Sequence, residues 1–169
     1  MAASSSFFPT TSLKRFPMVI LDRLRALYTA NAQYHSLPTE EIEVRVATTV
    51  VLLTVAEVDM ELHPKEVETM MTMLAKTYHL NEEEMGTLMA LAAESRGHVP
   101  DLWPFTNTIR RVLTEEQKLH LLEMVWRVAF ADGKLDPHED NLAHRLQHMI
   151  AVNHSLLMEA KKRARIELP

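Results

Sequence analysis

The chain has 169 residues, enough for one domain with a core of its own and too few for two comfortable ones. It carries no cysteine, which excludes disulfides, thiolate metal ligands and a cysteine nucleophile, and suits a reducing compartment. A net charge of −5, from 18 basic and 23 acidic residues, lacks the basic excess of nucleic-acid binders, so nucleic acid is not expected as a partner.

With 47% apolar residues but only 3 Gly and 8 Pro, the chain is poor in turns, and its 11 Met suit a helical core filled by flexible side chains. Residues 1–17, "MAASSSFFPTTSLKRFP", hold Lys14 and Arg15, no acid and no long apolar run, which does not fit a secretory signal. Their composition is compatible with a transit peptide, but a disordered extension ahead of a second candidate start at Met18 is the expectation. The domain is then residues 18–169. From Met18, the spacing of Val19, Ile20, Leu24 and Leu27 predicts a helix, broken by "YHSLPTE" at 34–40.

A second helix is expected from about Thr39 to Asp59. Its centre, "VATTVVLLTVA", is rich in β-branched residues and would pass for a strand on propensity alone, yet its length requires a helix. The uncharged stretch from Val46 to Ala56 is about half of the ~20 residues a membrane span needs, so it reads as a buried core helix. The next helix starts near Pro64 and carries Val67, Met70, Met71 and Leu74 on one face. Asn81 with Glu84, and Thr114 with Gln117, are spaced as capping boxes for two more helices, the first running to about Ser95 and the second to Ala131. Between them, "RGHVPDLWP" is a loop and "FTNTIRRVL" a short helix. Asp136, Pro137 and Glu139 occupy N-cap, N1 and N3 of another helix, and Asn153 caps the last. No segment alternates with period two over a strand's length. The fold class is all-α, a compact bundle of about seven or eight helices.

Two stretches repeat. "AEVDMELHPKE" (56–66) and "AFADGKLDPHE" (129–139) share Ala, Asp, Leu, Pro and Glu without a gap, placing Asp59 on Asp132, Leu62 on Leu135, Pro64 on Pro137 and Glu66 on Glu139. Each copy follows an apolar helix and precedes an amphipathic one. The expectation is two tandem helix–acidic loop–helix units related by a pseudo-twofold, with buried helices at about 42–58 and 117–131 in the centre.

These loops admit two readings. A hard cation of the Ca²⁺ or Mg²⁺ class wants several carboxylate or carbonyl oxygens, and a loop between helices can aim an Asp from one end and a Glu from the next helix's first turn at one point. Zn²⁺ is less favoured. "DGKLDPHE" matches positions five to twelve of an EF-hand loop, but positions one and three would be Val128 and Phe130, so an ordinary EF-hand is ruled out. The alternative is purely structural: Asp136–Pro137–x–Glu139 is a capped helix start, and Gly133 serves the C-terminus of the helix before it. His63 stands where the second copy has Asp136, so the first cap is weaker. Asp59 and Asp132 are not needed for either cap.

"VAEVDMELHPKE", "LWPFTNTIRRVL" and above all "MVWRVAFADGKLDPHEDNLAHRL" resemble the TerB-like tellurite-resistance family, in particular its short stand-alone bacterial branch. The resemblance covers about residues 18–165. Its most specific residues are Trp126, Ala131, Asp132, Gly133, Glu139, Asp140 and Leu142. It implies a two-repeat helical bundle and a non-enzymatic binding module of the bacterial cytoplasm, with peripheral association at the inner face of the membrane as an option. It also implies divalent-metal binding, protein partners in stress-response complexes, and acidic ligand positions at Asp59, Glu66, Asp132, Glu139 and Asp140. The chain departs from the family at Met60, where the first copy usually carries Gly. The alternatives are a metal-dependent hydrolase using the same carboxylates to activate water, and a structural protein–protein adaptor whose acidic loops are caps only.

Other groupings read more plainly. Asp140, His144 and His148 share one helix stripe, taken as a solvent face rather than a Zn²⁺ or Ni²⁺ site. Arg145 either holds Glu139 or Asp132 or snorkels. Trp126 and Phe130 are expected in the core, and Trp103 with Phe105 as a plug over the bundle's end, with a partner contact as the alternative. The basic "EAKKRARIE" suits a helix C-terminus and is a weak signal for anionic lipid. No P-loop and no G-x-S-x-G occurs, and no Ser/His/Asp set is ordered into a triad.

Overall fold

The computed structural model describes residues 38–58 and 62–166. The helix expected from Met18, the boundary between residues 17 and 18, and Asp59 lie outside the described residues. The described helices belong to one unit, residues 37–169. In chain order they are α1 (Thr39–Ala56), α2 (Pro64–Tyr78), α3 (Glu82–Gly97), α4 (Trp103–Val112), α5 (Glu115–Ala129), α6 (Pro137–Met149) and α7 (His154–Ile166). No strand occurs among the described residues.

Helix α1 resolves the ambiguity of its β-branched centre. Val46, Val50, Val51, Leu52 and Val55 are all buried, because α1 is packed by α2, α3, α4 and α5 on its several sides. Such all-round burial overrides the modest helix penalty of β-branched side chains. The hydroxyls inside this helix find partners within it: Thr49 donates to the Arg45 carbonyl and Thr54 to the Val50 carbonyl, each at 2.8 Å. Helix α5 is the second buried element, with Leu121, Leu122, Val125, Trp126 and Val128 in the core and α7, α1, α2 and α6 around it.

Helix starts follow local chemistry. Asn81 and Glu84 exchange side chain-to-backbone bonds of 2.8 and 2.9 Å at the head of α3, and Thr114 with Gln117 does the same for α5. Asn153 accepts from the Leu156 amide at 2.8 Å and so caps α7. Left-handed residues close two helices, His79 (φ 54°) after α2 and Ala151 (φ 56°) after α6. At the second, Gln147 donates its side-chain amide to the Val152 carbonyl at 3.1 Å and so serves a buried acceptor.

Trp126 and Phe130 lie in the core as expected, their rings stacked 5.8 Å apart. The plug reading of Trp103 is corrected: Phe105 is buried, but Trp103 is 60% exposed at the first turn of α4. On the α6 stripe, His148 is exposed, while Asp140 and His144 are half-buried beside α7, where Lys161 reaches Asp140 at 2.6 Å and His154 stacks on His144 at 5.7 Å. Three of the four basic C-terminal residues are engaged within the fold, Lys161 also lying over Trp126, Arg165 over Phe130, and Arg163 bonding Glu159 and Glu123, while Lys162 is exposed. No described helix is long and apolar enough to cross a membrane.

Candidate functional site

The two copies of the repeated motif join α1 to α2 and α5 to α6. In the second, α5 ends through bonds from the Phe130 amide to the Trp126 carbonyl and from the Gly133 amide to the Phe130 carbonyl, each 2.9 Å. Gly133 takes φ +85°, a conformation that glycine adopts without steric cost. The Asp132 carboxylate then accepts the Lys134 amide at 2.8 Å, an Asx turn that fixes its side chain at the bend. Four residues after Asp132, Asp136 accepts the His138 amide at 2.7 Å, and Glu139 accepts the Asp136 amide at 2.9 Å. The cap expected of Asp136–Pro137–x–Glu139 is therefore made, and it occupies one oxygen of each carboxylate.

The first turn is built differently. Glu57, just past the end of α1, forms an ion pair with Arg96 of α3. His63 holds the N-cap position of α2 in extended backbone (φ −74°, ψ 129°), but its side chain makes no capping bond. Pro64 follows at N1, where its missing amide hydrogen is no loss. Glu66 is at N3 and is buried, with 2% of its surface exposed.

Helix α2 packs on α5, so the first turn of α2 meets the turn leaving α5. There His63, Glu66 and Asp132 converge. Each offers one ligand atom, an imidazole nitrogen or a carboxylate oxygen, and the three atoms lie within 4.8 Å of one another. His63 and Asp132 are half-buried while Glu66 is buried. Two carboxylates and an imidazole at this spacing are a donor set for a divalent cation, whose charge the carboxylates balance.

Of the residues expected from sequence, the fold thus gathers Glu66 and Asp132, one from each copy. Glu139 is buried at the head of α6 with an oxygen on the Asp136 amide. Asp140 accepts Lys161 and has His144 at 3.7 Å. Asp59 is outside the described residues. Arg145 is exposed on α6. His63 is the member that sequence reasoning missed. Its signal was present in the repeat, since the same offset lays His63 on Asp136 and both can ligate.

Residues 45–162 match the family model described as tellurite resistance protein TerB. The match spans more than half of the chain and holds both turns. The chain belongs to the TerB family. No curated protein and no solved structure matches it. The TerB match includes α2, α5 and the turn between α5 and α6, so all three converging side chains lie inside the family's own domain.

Proposed function

We propose that this TerB domain works as a non-enzymatic binding module, and that the cluster of His63, Glu66 and Asp132 takes a divalent cation. The observation that supports the reading is the convergence itself: two turns far apart in sequence direct three ligand-type atoms to within 4.8 Å of each other. Capping accounts for Asp136 and Glu139 but not for Asp132, whose carboxylate accepts the Lys134 amide at the bend and is one of the three converging groups. A cation there would fasten the head of α2 to the end of α5, presenting a surface that changes with the ion. The setting is cytoplasmic and the role is in tellurite or metal stress, with protein partners; these three points rest on the family.

Thermal unfolding of the metal-stripped chain, with and without a panel of divalent cations, tests the reading. An ion that binds only the native state at about 100 times its Kd adds roughly 2.7 kcal/mol. In a chain of this size that is a midpoint rise of about 5–10 °C. The double variant Glu66→Gln with Asp132→Asn is expected to lose the rise while keeping its helix content. An equal rise in that variant, or none for any ion in the parent, sinks the site.

A further inference from the structure

We infer that His63 sets which ions the site accepts: first-row transition ions of the Zn²⁺ and Co²⁺ class, in preference to Ca²⁺ and Mg²⁺. The inference rests on the cation-site reading above and refines it. Carboxylates alone, the donor set expected from the sequence, suit a hard ion. The set that the fold brings together is different. One of its three donors is an imidazole, and imidazole suits Zn, Cu, Fe and Ni whereas carboxylate, carbonyl and water suit Mg and Ca.

The number of donors points the same way. Calcium takes six to eight oxygens, and two carboxylates supply at most four of them. A zinc-class ion is complete with three protein ligands and one further position for water or a partner's side chain. In a tetrahedral shell with metal–ligand distances near 2.0–2.1 Å, ligand atoms stand about 3.3 Å apart. The three donors are within 4.8 Å, so they close on such an ion by about 1.5 Å of side-chain movement at most. His63 and Glu66 sit at N-cap and N3 of one helix and approach the ion from one side, while Asp132 approaches from the other turn.

Asp136, the counterpart of His63 before α6, caps its helix, whereas the His63 side chain does not. Giving up such a cap costs about 1 kcal/mol. What histidine contributes in its place is a nitrogen donor beside a buried carboxylate.

The experiment is a set of equilibrium titrations of the metal-stripped full chain with Zn²⁺, Co²⁺, Mn²⁺, Ca²⁺ and Mg²⁺, read by calorimetry and, for Co²⁺, by its visible absorption. Three proteins are compared: the parent, His63→Asp, and Glu66→Gln with Asp132→Asn. Circular dichroism establishes that each is folded. The parent is expected to bind Zn²⁺ and Co²⁺ at least about tenfold more tightly than Ca²⁺ or Mg²⁺. His63→Asp, which supplies both a cap and a third carboxylate, should narrow or invert that ratio and shift the Co²⁺ spectrum. The carboxylate double variant should lose binding. If the parent favours Ca²⁺ or Mg²⁺, or His63→Asp leaves the order of ions unchanged, the inference about His63 is overturned and the cation site stands. If no ion binds, or Zn²⁺ and Co²⁺ bind the double variant as tightly as the parent, the site itself is overturned and the inference with it.

Discussion

The turn between α1 and α2 and the turn between α5 and α6 share a sequence pattern, yet they divide the work between them. The second closes its own helices: Gly133 bends the chain at φ +85°, and Asp136 and Glu139 each accept an amide at the head of α6. The first leaves its N-cap position to a histidine that does not cap, and Glu57, just past the end of α1, goes to Arg96. From the second turn Asp132 reaches across, and it meets His63 and Glu66. The lesson is that matching residues in a repeat need not hold matching jobs. One turn closes its own helices, and one of its carboxylates also lies beside two side chains of the other.

Breaking the second turn should therefore cost stability without redesigning the site. The largest effect is expected from Gly133→Ala. A methyl group there meets no atom within 4 Å, so the cost is that of the left-handed backbone alone, about 1–2 kcal/mol. Urea unfolding would show it as a lower midpoint with an unchanged slope. An unaltered midpoint would mean that the bend relaxes at no cost. Asp136→Ala comes next, at about 1 kcal/mol for a lost N-cap. Its response to cations should equal the parent's, because Asp136 is outside the converging set. A lost response would mean that the cap and the ligand cluster are one unit, which would undo the contrast between the turns.

Much of this architecture is legible in the sequence because its signals are local. Asn81 with Glu84, Thr114 with Gln117 and Asp136 with Glu139 are pairs three residues apart, and each makes the bonds that its spacing predicts. The length of the Thr39–Ala56 segment outweighs its β-branched content for an equally simple reason, since burial on all sides rewards those side chains. Glu66 and Asp132 stand out through recurrence. Their meeting does not, because contact between α2 and the end of α5 is set by packing across the bundle. Asp140 illustrates the same limit: it looks like part of the acidic motif, but its partner Lys161 is 21 residues away on α7. Trp103 and Phe105 are indistinguishable as apolar residues near a helix start, and only the facing of α4 separates an exposed ring from a buried one.

The contrast extends to what clamps the helices that each turn joins. Helices α5 and α6 are bridged by a cation, since Lys161 of α7 lies 4.2 Å from the centre of the Trp126 ring and 2.6 Å from Asp140. Helices α1 and α2 are joined by a hydroxyl: Tyr78, the last residue of α2, donates to Thr48 at 3.1 Å, with the Arg45 guanidinium 5.0 Å from its ring centre. Burial pushes the Tyr78 hydroxyl above its ordinary value of 10.0, against the opposing pull of the Thr48 bond and the Arg45 charge. A phenol whose pKa is higher folded than unfolded stabilises the fold fully below the unfolded value. That contribution disappears as pH rises through the folded one. The fold should accordingly weaken above pH 10, and part of that loss should be absent in Tyr78→Phe. At neutral pH the same variant should lose only the hydrogen bond, about 0.5–1.5 kcal/mol. Urea midpoints of parent and variant at neutral and strongly alkaline pH separate the two effects. Curves that stay parallel through the alkaline range would show that the phenol ionises as readily in the fold as in water, and curves that also coincide at neutral pH would show that the clamp on the first pair of helices is packing alone.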